Sequence, residues 1–143
     1  MRGRRGRLIT VGLMVMALAG SVAGCTTAST AAGSCAAKEL QLGDSDLRPG
    51  GAVDLSEDWM WRTCEDTGGT PRASDDVVVT ITPSSTGTAV VLGRPAPEGP
   101  RFRVAGRFDL PADLPPGDAV LGVHSNDGDR AGADVPVVIG PAS

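Results

Sequence analysis

The chain of 143 residues has no tyrosine, a single histidine and only four aromatic side chains, two Trp and two Phe. With so few aromatics, a folded core must be built mainly from Val, Leu and Ile. The single histidine disfavours His-based metal sites and leaves His124 as the one candidate general base of the usual kind. The chain also lacks a Gly-x-Ser-x-Gly elbow, a phosphate loop, a Cys-x-x-Cys pair and a cofactor fingerprint, so we expect neither an enzyme nor a cofactor.

The N-terminus carries a targeting segment. Four arginines within the first seven residues precede residues 8–23, an uncharged apolar run of 16 residues. A stable bilayer span needs roughly 20 residues, so the pattern predicts a cleaved signal peptide rather than a permanent membrane helix. The run ends in Val-Ala-Gly-Cys at residues 22–25, which resembles the lipobox of bacterial lipoproteins.

That resemblance implies a diacylglyceryl group on the thiol of Cys25 and cleavage directly before it. Residues 1–24 are then the signal peptide, and residues 25–34 are the lipidated cysteine and a flexible tether of small, uncharged residues. Two or more acyl chains make attachment durable, which places the protein on the extracytoplasmic face of the cell membrane. Ordinary signal-peptidase cleavage, with Cys25 a spare thiol, and an uncleaved helix are the alternatives.

The net charge limits the classes of partner that the chain can bind, and the cysteine content indicates a disulfide. Removing the leader takes away four of thirteen basic residues and none of seventeen acidic ones, which leaves 9 − 17 = −8. Such a chain disfavours nucleic acid, whose binding needs clustered cations. Two thiols outside the cytoplasm are usually paired, so we predict a disulfide between Cys35 and Cys64. A metal site is the less favoured use of these two cysteines.

From residue 35 onward, short apolar alternations are separated by Gly, Pro, Asp and Ser clusters, which is typical of an all-β sandwich. Strands are predicted at KELQL, AVDLS, DWMWRTC, DVVVTIT, TAVVLG, RFRVAGRFDL, DAVLGVH and ADVPVVIG. The segment EDTGGTPRASDD is predicted to be a polar loop, and SNDGDRAG a hairpin-like turn. Pro136, in the last strand, suits an edge or a bulge.

Two stretches of this domain resemble immunoglobulin-like modules of bacterial surfaces. LRPGGAVDLS is similar to their A–B turn and B strand, and FDLPADLPPGDAVLGV to their E strand, E–F corner and F strand. The resemblance implies an immunoglobulin-like sandwich of about seven strands over residues 35–143. Ala119 stands where those modules often carry a tyrosine, so Pro115 and Pro116 must hold the corner instead.

Trp59 and Trp61 form the most suggestive pair for binding. At i and i+2 of a regular strand both indoles project to one face, where they would make a platform for sugar rings, with Glu57, Asp58 and Arg62 as a polar rim. Packing of a tryptophan into the core is favoured over this platform, and a partly exposed interface patch is a further alternative. A regular strand would also turn Arg62 inward beside Cys64, so we expect a bulge or an early strand end here.

Two charged groups have simpler interpretations. Cross-strand pairing with carboxylates such as Asp54 is favoured over capture of an anionic wall polymer for the row Arg101, Arg103 and Arg107. Turn chemistry is favoured over calcium for the row Asp127, Asp129 and Asp134, whose spacing lacks the terminal Glu of an EF-hand.

The sequence therefore predicts a non-enzymatic, lipid-anchored module of adhesion, scaffold or accessory type. Its partners would be the membrane, through the anchor, and an envelope protein or wall polymer, met through a sheet face or a loop. A small glycan-binding lipoprotein that uses Trp59 and Trp61 is the alternative.

Overall fold

The computed structural model describes residues 39–65 and 69–142. The leader, Cys25 and Cys35 lie outside these residues. The described part of the chain is all-β, and it contains no helix long and apolar enough to cross a membrane. Its nine strands are β1 (Gln41–Leu42), β2 (Ala52–Glu57), β3 (Trp61–Thr63), β4 (Arg72–Ala73), β5 (Val77–Pro83), β6 (Val90–Gly93), β7 (Val104–Asp109), β8 (Gly117–Ser125) and β9 (Gly132–Ile139).

The strands form three antiparallel sheets. One sheet has the order β1-β2-β7, the second has the order β6-β5-β8-β9, and β3 and β4 pair as a separate ribbon within the connection between β2 and β5. The predicted all-β sandwich is therefore confirmed.

Strand alternation builds the core between the two sheets. Val53 and Leu55 point inward from β2, because alternate residues of a strand share a face. The two strands β5 and β8 supply the inward residues Val77, Val79, Ile81, Ala119, Leu121 and Val123. Each fully buried aliphatic side chain contributes roughly 1.5–3 kcal/mol, which compensates for the scarcity of aromatic rings.

Three connections converge at one end of the sandwich, which we call the loop end. They are residues 58–76 between β2 and β5, residues 94–103 between β6 and β7, and residues 126–131 between β8 and β9. The connections 43–51, 84–89 and 110–116 lie at the opposite end. This division follows from the antiparallel pairing, which reverses the chain at every connection.

The predicted strand boundaries are wrong at the loop end. The strand predicted at residues 101–110 starts only at Val104, because Phe102 lies in a turn with φ of +47°. The segment predicted as a polar loop contains β4, and residues 58–60 of the third predicted strand are not in a strand. Pro136 lies in β9, at the edge of its sheet, as predicted.

Candidate functional site

The residues before β3 are held by backbone hydrogen bonds from a neighbouring loop. The N–H of Trp59 donates to the carbonyl of Arg101 (2.7 Å), and the N–H of Met60 donates to the carbonyl of Phe102 (3.0 Å). Trp59 has φ of +67°, a backbone conformation that a bulky residue adopts only when its surroundings impose it. The β2–β5 and β6–β7 connections are thus joined into one structured surface.

The two tryptophans do not form a flat pair of exposed rings. Their ring centroids are 6.2 Å apart and the ring planes are tilted by 40°. Trp61 is only 4% exposed, whereas Trp59 is half-buried. The two residues are not at i and i+2 of one strand, because Trp59 lies in the turn. This geometry favours packing for Trp61 and leaves Trp59 as the indole with an accessible surface.

The polar rim expected beside these rings is only partly present. Glu57 is 2% exposed, because β2 continues through it and places its side chain on the same face as Val53 and Leu55. Asp58 and Arg62 keep accessible surface. The expected irregularity is present as well, since the register of β3 against β4 shifts between Trp61 and Thr63 and Arg62 points to solvent.

The arginine row is paired with carboxylates, as predicted. Arg107 Nη1 lies 2.7 Å from Asp54 Oδ2 on the neighbouring strand. Arg101 and Arg103 share Asp58, at 3.1 and 3.5 Å. Two guanidinium groups against one carboxylate leave this cluster at the loop end with an excess positive charge.

Asp127 clamps the β8–β9 turn to the β2–β5 connection. Its carboxylate accepts hydrogen bonds from the Ser74 hydroxyl, from the Asp75 N–H (3.1 Å) and from the Ser125 hydroxyl (2.8 Å). Burial tends to raise the pKa of Asp127, but these hydrogen bonds prevail and lower its pKa to about 2. The carboxylate therefore stays charged over the whole physiological range.

The same turn approaches β3 closely. The Asp129 N–H donates to the Arg62 carbonyl (2.8 Å). At Gly128, with φ of +58°, a Cβ would lie 1.8 Å from that carbonyl, so only glycine fits. These acidic residues therefore accept hydrogen bonds as turn residues do. Within residues 39–65 and 69–142 no group of three or more His, Cys, Asp or Glu side chains is placed to hold a metal ion.

His124 and Ser125 point in opposite directions, as alternation requires. His124 Nε2 lies 2.8 Å from Asp134 Oδ1 on the outer face of the sheet. Ser125 is buried, and its hydroxyl oxygen lies 2.9 Å from Ser74 Oγ and 2.8 Å from Asp127 Oδ1. The pair His124–Asp134 and the serine hydroxyl therefore lie on opposite faces of the sheet and do not meet.

Cys64 follows β3 at the loop end, and its N–H donates to Asp129 Oδ2 (2.8 Å). Its predicted disulfide partner, Cys35, lies outside the described residues, as does the predicted lipidation site Cys25. The disulfide and the lipid anchor therefore stay predictions.

A second candidate surface lies on the outer face of the four-stranded sheet. Three of the four exposed large hydrophobic residues are Val91 (53% exposed), Val120 (40%) and Val138 (65%), on β6, β8 and β9. Strand register places Thr82 and Pro136 on either side of Val120. Consecutive apolar residues, as in Ala-Val-Leu at residues 119–121, put apolar side chains on both faces of a strand. Such runs are the sequence signal for this apolar outer face.

No protein-family model, curated protein or solved structure matches the chain.

Proposed function

We propose that this chain is a lipid-anchored, extracytoplasmic module without enzymatic activity that docks an envelope protein on the outer face of its four-stranded sheet. The anchor is the acylated Cys25, as the lipobox implies. The observation that carries the docking proposal is the concentration of exposed valines on this one face, since exposed apolar side chains that cluster mark interaction surfaces.

The composition of the face supports a protein partner. Across the strands from Val120 the outward side chains are Thr82 and Pro136, which are uncharged. Asp118 lies two residues before Val120 on β8 and opposite Val138, and Asp134 lies two residues before Pro136 on β9. Charged groups therefore border the exposed valines, as in the polar rim of a protein–protein interface. An anchor at the membrane limits the partner to proteins of the envelope.

Photo-crosslinking in the native host tests the docking surface. A photoreactive amino acid at position 120 is expected to give one defined crosslinked product, which Val138→Asp should abolish. The matched control is the same amino acid at Ala105, an exposed position on the outer face of the other sheet. Equal products from both positions, or none from position 120, would argue against this face.

Intact-mass analysis of the protein from the native host tests the anchor. The expected product starts at Cys25 and carries the added mass of its acyl chains. A product that starts elsewhere, or one without acyl mass, would contradict the proposed localisation.

Glycan binding is the second candidate, and the half-buried Trp59 beside Asp58 is the observation that favours it. One accessible indole with a carboxylate and two arginines at its margin provides a small apolar surface with polar groups around it. Addition of wall saccharides should then shift the tryptophan emission, and Trp59→Phe should remove the shift. Emission that saccharides leave unchanged would contradict glycan binding at this site.

A further inference from the structure

The chain enters the sandwich at the loop end. Gln41 lies opposite Ser56, and Leu42 lies opposite Leu55, in antiparallel register. Since β2 runs toward the loop end and stops at Glu57, β1 starts at the loop end and runs away from it. Any segment that ties the domain to a membrane from its N-terminal side is therefore attached at the loop end.

The length of the tether determines whether the end opposite the loop end can also reach the bilayer. Thirteen residues lie between Cys25 and Glu39, and a Gaussian chain of this length has a root-mean-square span of about 20 Å. To press the opposite end against the bilayer, the tether must run along the sandwich, which is about 30 Å long for a nine-residue strand. In a Gaussian chain the probability density at a span of about 30 Å is roughly 25 times lower than at zero span.

The predicted disulfide strengthens the preference for the loop end to face the bilayer. Cys64 lies at the loop end, directly after β3, so a bond to Cys35 fixes the tether there and leaves nine residues between Cys25 and Cys35 as its free part. For this shorter chain the probability density at a span of about 30 Å is roughly a hundred times lower than at zero span.

The distribution of arginine and tryptophan agrees with this orientation. Both tryptophans of the chain and six of the eight arginines of the described residues lie at the loop end, namely Arg62, Arg72, Arg94, Arg101, Arg103 and Arg130. The described residues of the same connections also carry seven carboxylates, namely Asp58, Glu65, Asp75, Asp76, Glu98, Asp127 and Asp129, and four of the six arginines are ion-paired. The opposite end has Arg48 as its one arginine, beside Asp44, Asp46, Asp109, Asp113 and Asp118.

Tryptophan and arginine suit the interface between headgroups and water, and both are concentrated at the loop end. We infer that the loop end of the anchored protein faces the bilayer and that Trp59, with Arg101 and Arg103, lies against the phospholipid headgroups. These two arginines share one carboxylate, so they can also engage a phosphate oxygen. The inference rests on the proposed anchor at Cys25, and it leaves the valine face accessible from the side.

Quenching of tryptophan emission by lipid tests the inference. The full-length acylated protein is reconstituted into phosphatidylethanolamine–phosphatidylglycerol vesicles whose acyl chains carry bromine close to the headgroups. Compared with vesicles without bromine, the emission is expected to fall, and Trp59→Phe is expected to remove most of the fall, because Trp61 is buried.

The control variant moves the accessible indole to the opposite end. Asp113 is exposed in the connection 110–116, so Trp59→Phe combined with Asp113→Trp places a ring there. Aqueous acrylamide should quench this ring, and brominated lipid should not. Equal lipid quenching at positions 59 and 113, or stronger quenching at 113, would overturn the orientation.

Intact-mass analysis of the same preparation distinguishes a failure of the proposed orientation from a failure of the proposed anchor. If the protein is acylated and Trp59 stays unquenched, the orientation is wrong while the anchor stands. If no acyl mass is present, the proposed function and the orientation fail together.

Discussion

Replacing Asp127 by asparagine should loosen the clamp between two loops of the loop end. The substitution keeps the size of the side chain, removes its charge and puts an amide NH₂ where one carboxylate oxygen accepted hydrogen bonds. The Ser74 and Ser125 hydroxyls donate to one carboxylate oxygen and the Asp75 N–H donates to the other, so the NH₂ group deprives either the hydroxyls or the N–H of an acceptor. We therefore expect a loss of stability at neutral pH.

The magnitude follows from the pKa. A shift from 3.8 to about 2 in the folded state corresponds to about 2.4 kcal/mol at neutral pH. The side chain is 22% exposed, and screening by solvent reduces the figure to about 1–2 kcal/mol. With a typical urea dependence of about 1–1.5 kcal/mol per molar, the unfolding midpoint of Asp127→Asn should fall by about 1 M at pH 7.

The effect should also depend on pH, with a definite sign. Because the pKa of Asp127 is lowered in the folded state, its carboxylate stabilises the fold above about pH 4, and this contribution is lost as the pH falls toward 2. Urea unfolding of wild type and Asp127→Asn, followed by tryptophan emission, should give curves that converge over this range. The control Asp113→Asn, at an exposed position, should change stability by less than about 0.5 kcal/mol.

A pH-independent difference between wild type and Asp127→Asn would refute the role of the charge. A difference below about 0.5 kcal/mol at pH 7 would refute the clamp itself.

Three further substitutions test other parts of the structure. Replacing Cys64 by serine should lower the free energy of unfolding by about 3–4 kcal/mol and abolish the mass change on reduction, if Cys35 is its partner. Leu121→Ala removes a fully buried side chain and should cost about 2–5 kcal/mol in chemical denaturation, whereas Val138→Ala, at a 65% exposed position, should cost less than about 0.5 kcal/mol. Arg107→Ala removes an exposed ion pair and should cost at most about 1 kcal/mol, with the cost shrinking in high salt in the same assay.

Alternation of apolar residues was enough to predict the strands of the core. In β2, β5 and β8 every second residue packs into the core, because a period of two follows directly from strand geometry. Pairing of the arginine row was also predictable, since an acidic chain with few cations offers each arginine a nearby carboxylate.

The loop end was less predictable, because its conformation depends on contacts distant in sequence. The positive φ of Trp59 accompanies its hydrogen bond to Arg101, forty-two residues later, and no local pattern indicates such a bond. The two-residue strand β4 is too short to show alternation. Glu57 is buried because it lies on the same face of β2 as Val53 and Leu55, but a charged side chain is not expected in a core from the sequence alone.

The proline in the last strand has a consequence for contacts between copies of the chain. Pro136 lies on the outer strand β9 and has no N–H, so the open margin of the larger sheet lacks one of the donors that a docking strand requires. At the other margin of that sheet, β6 has only four residues. Neighbouring copies are thus discouraged from joining sheet to sheet into a polymer.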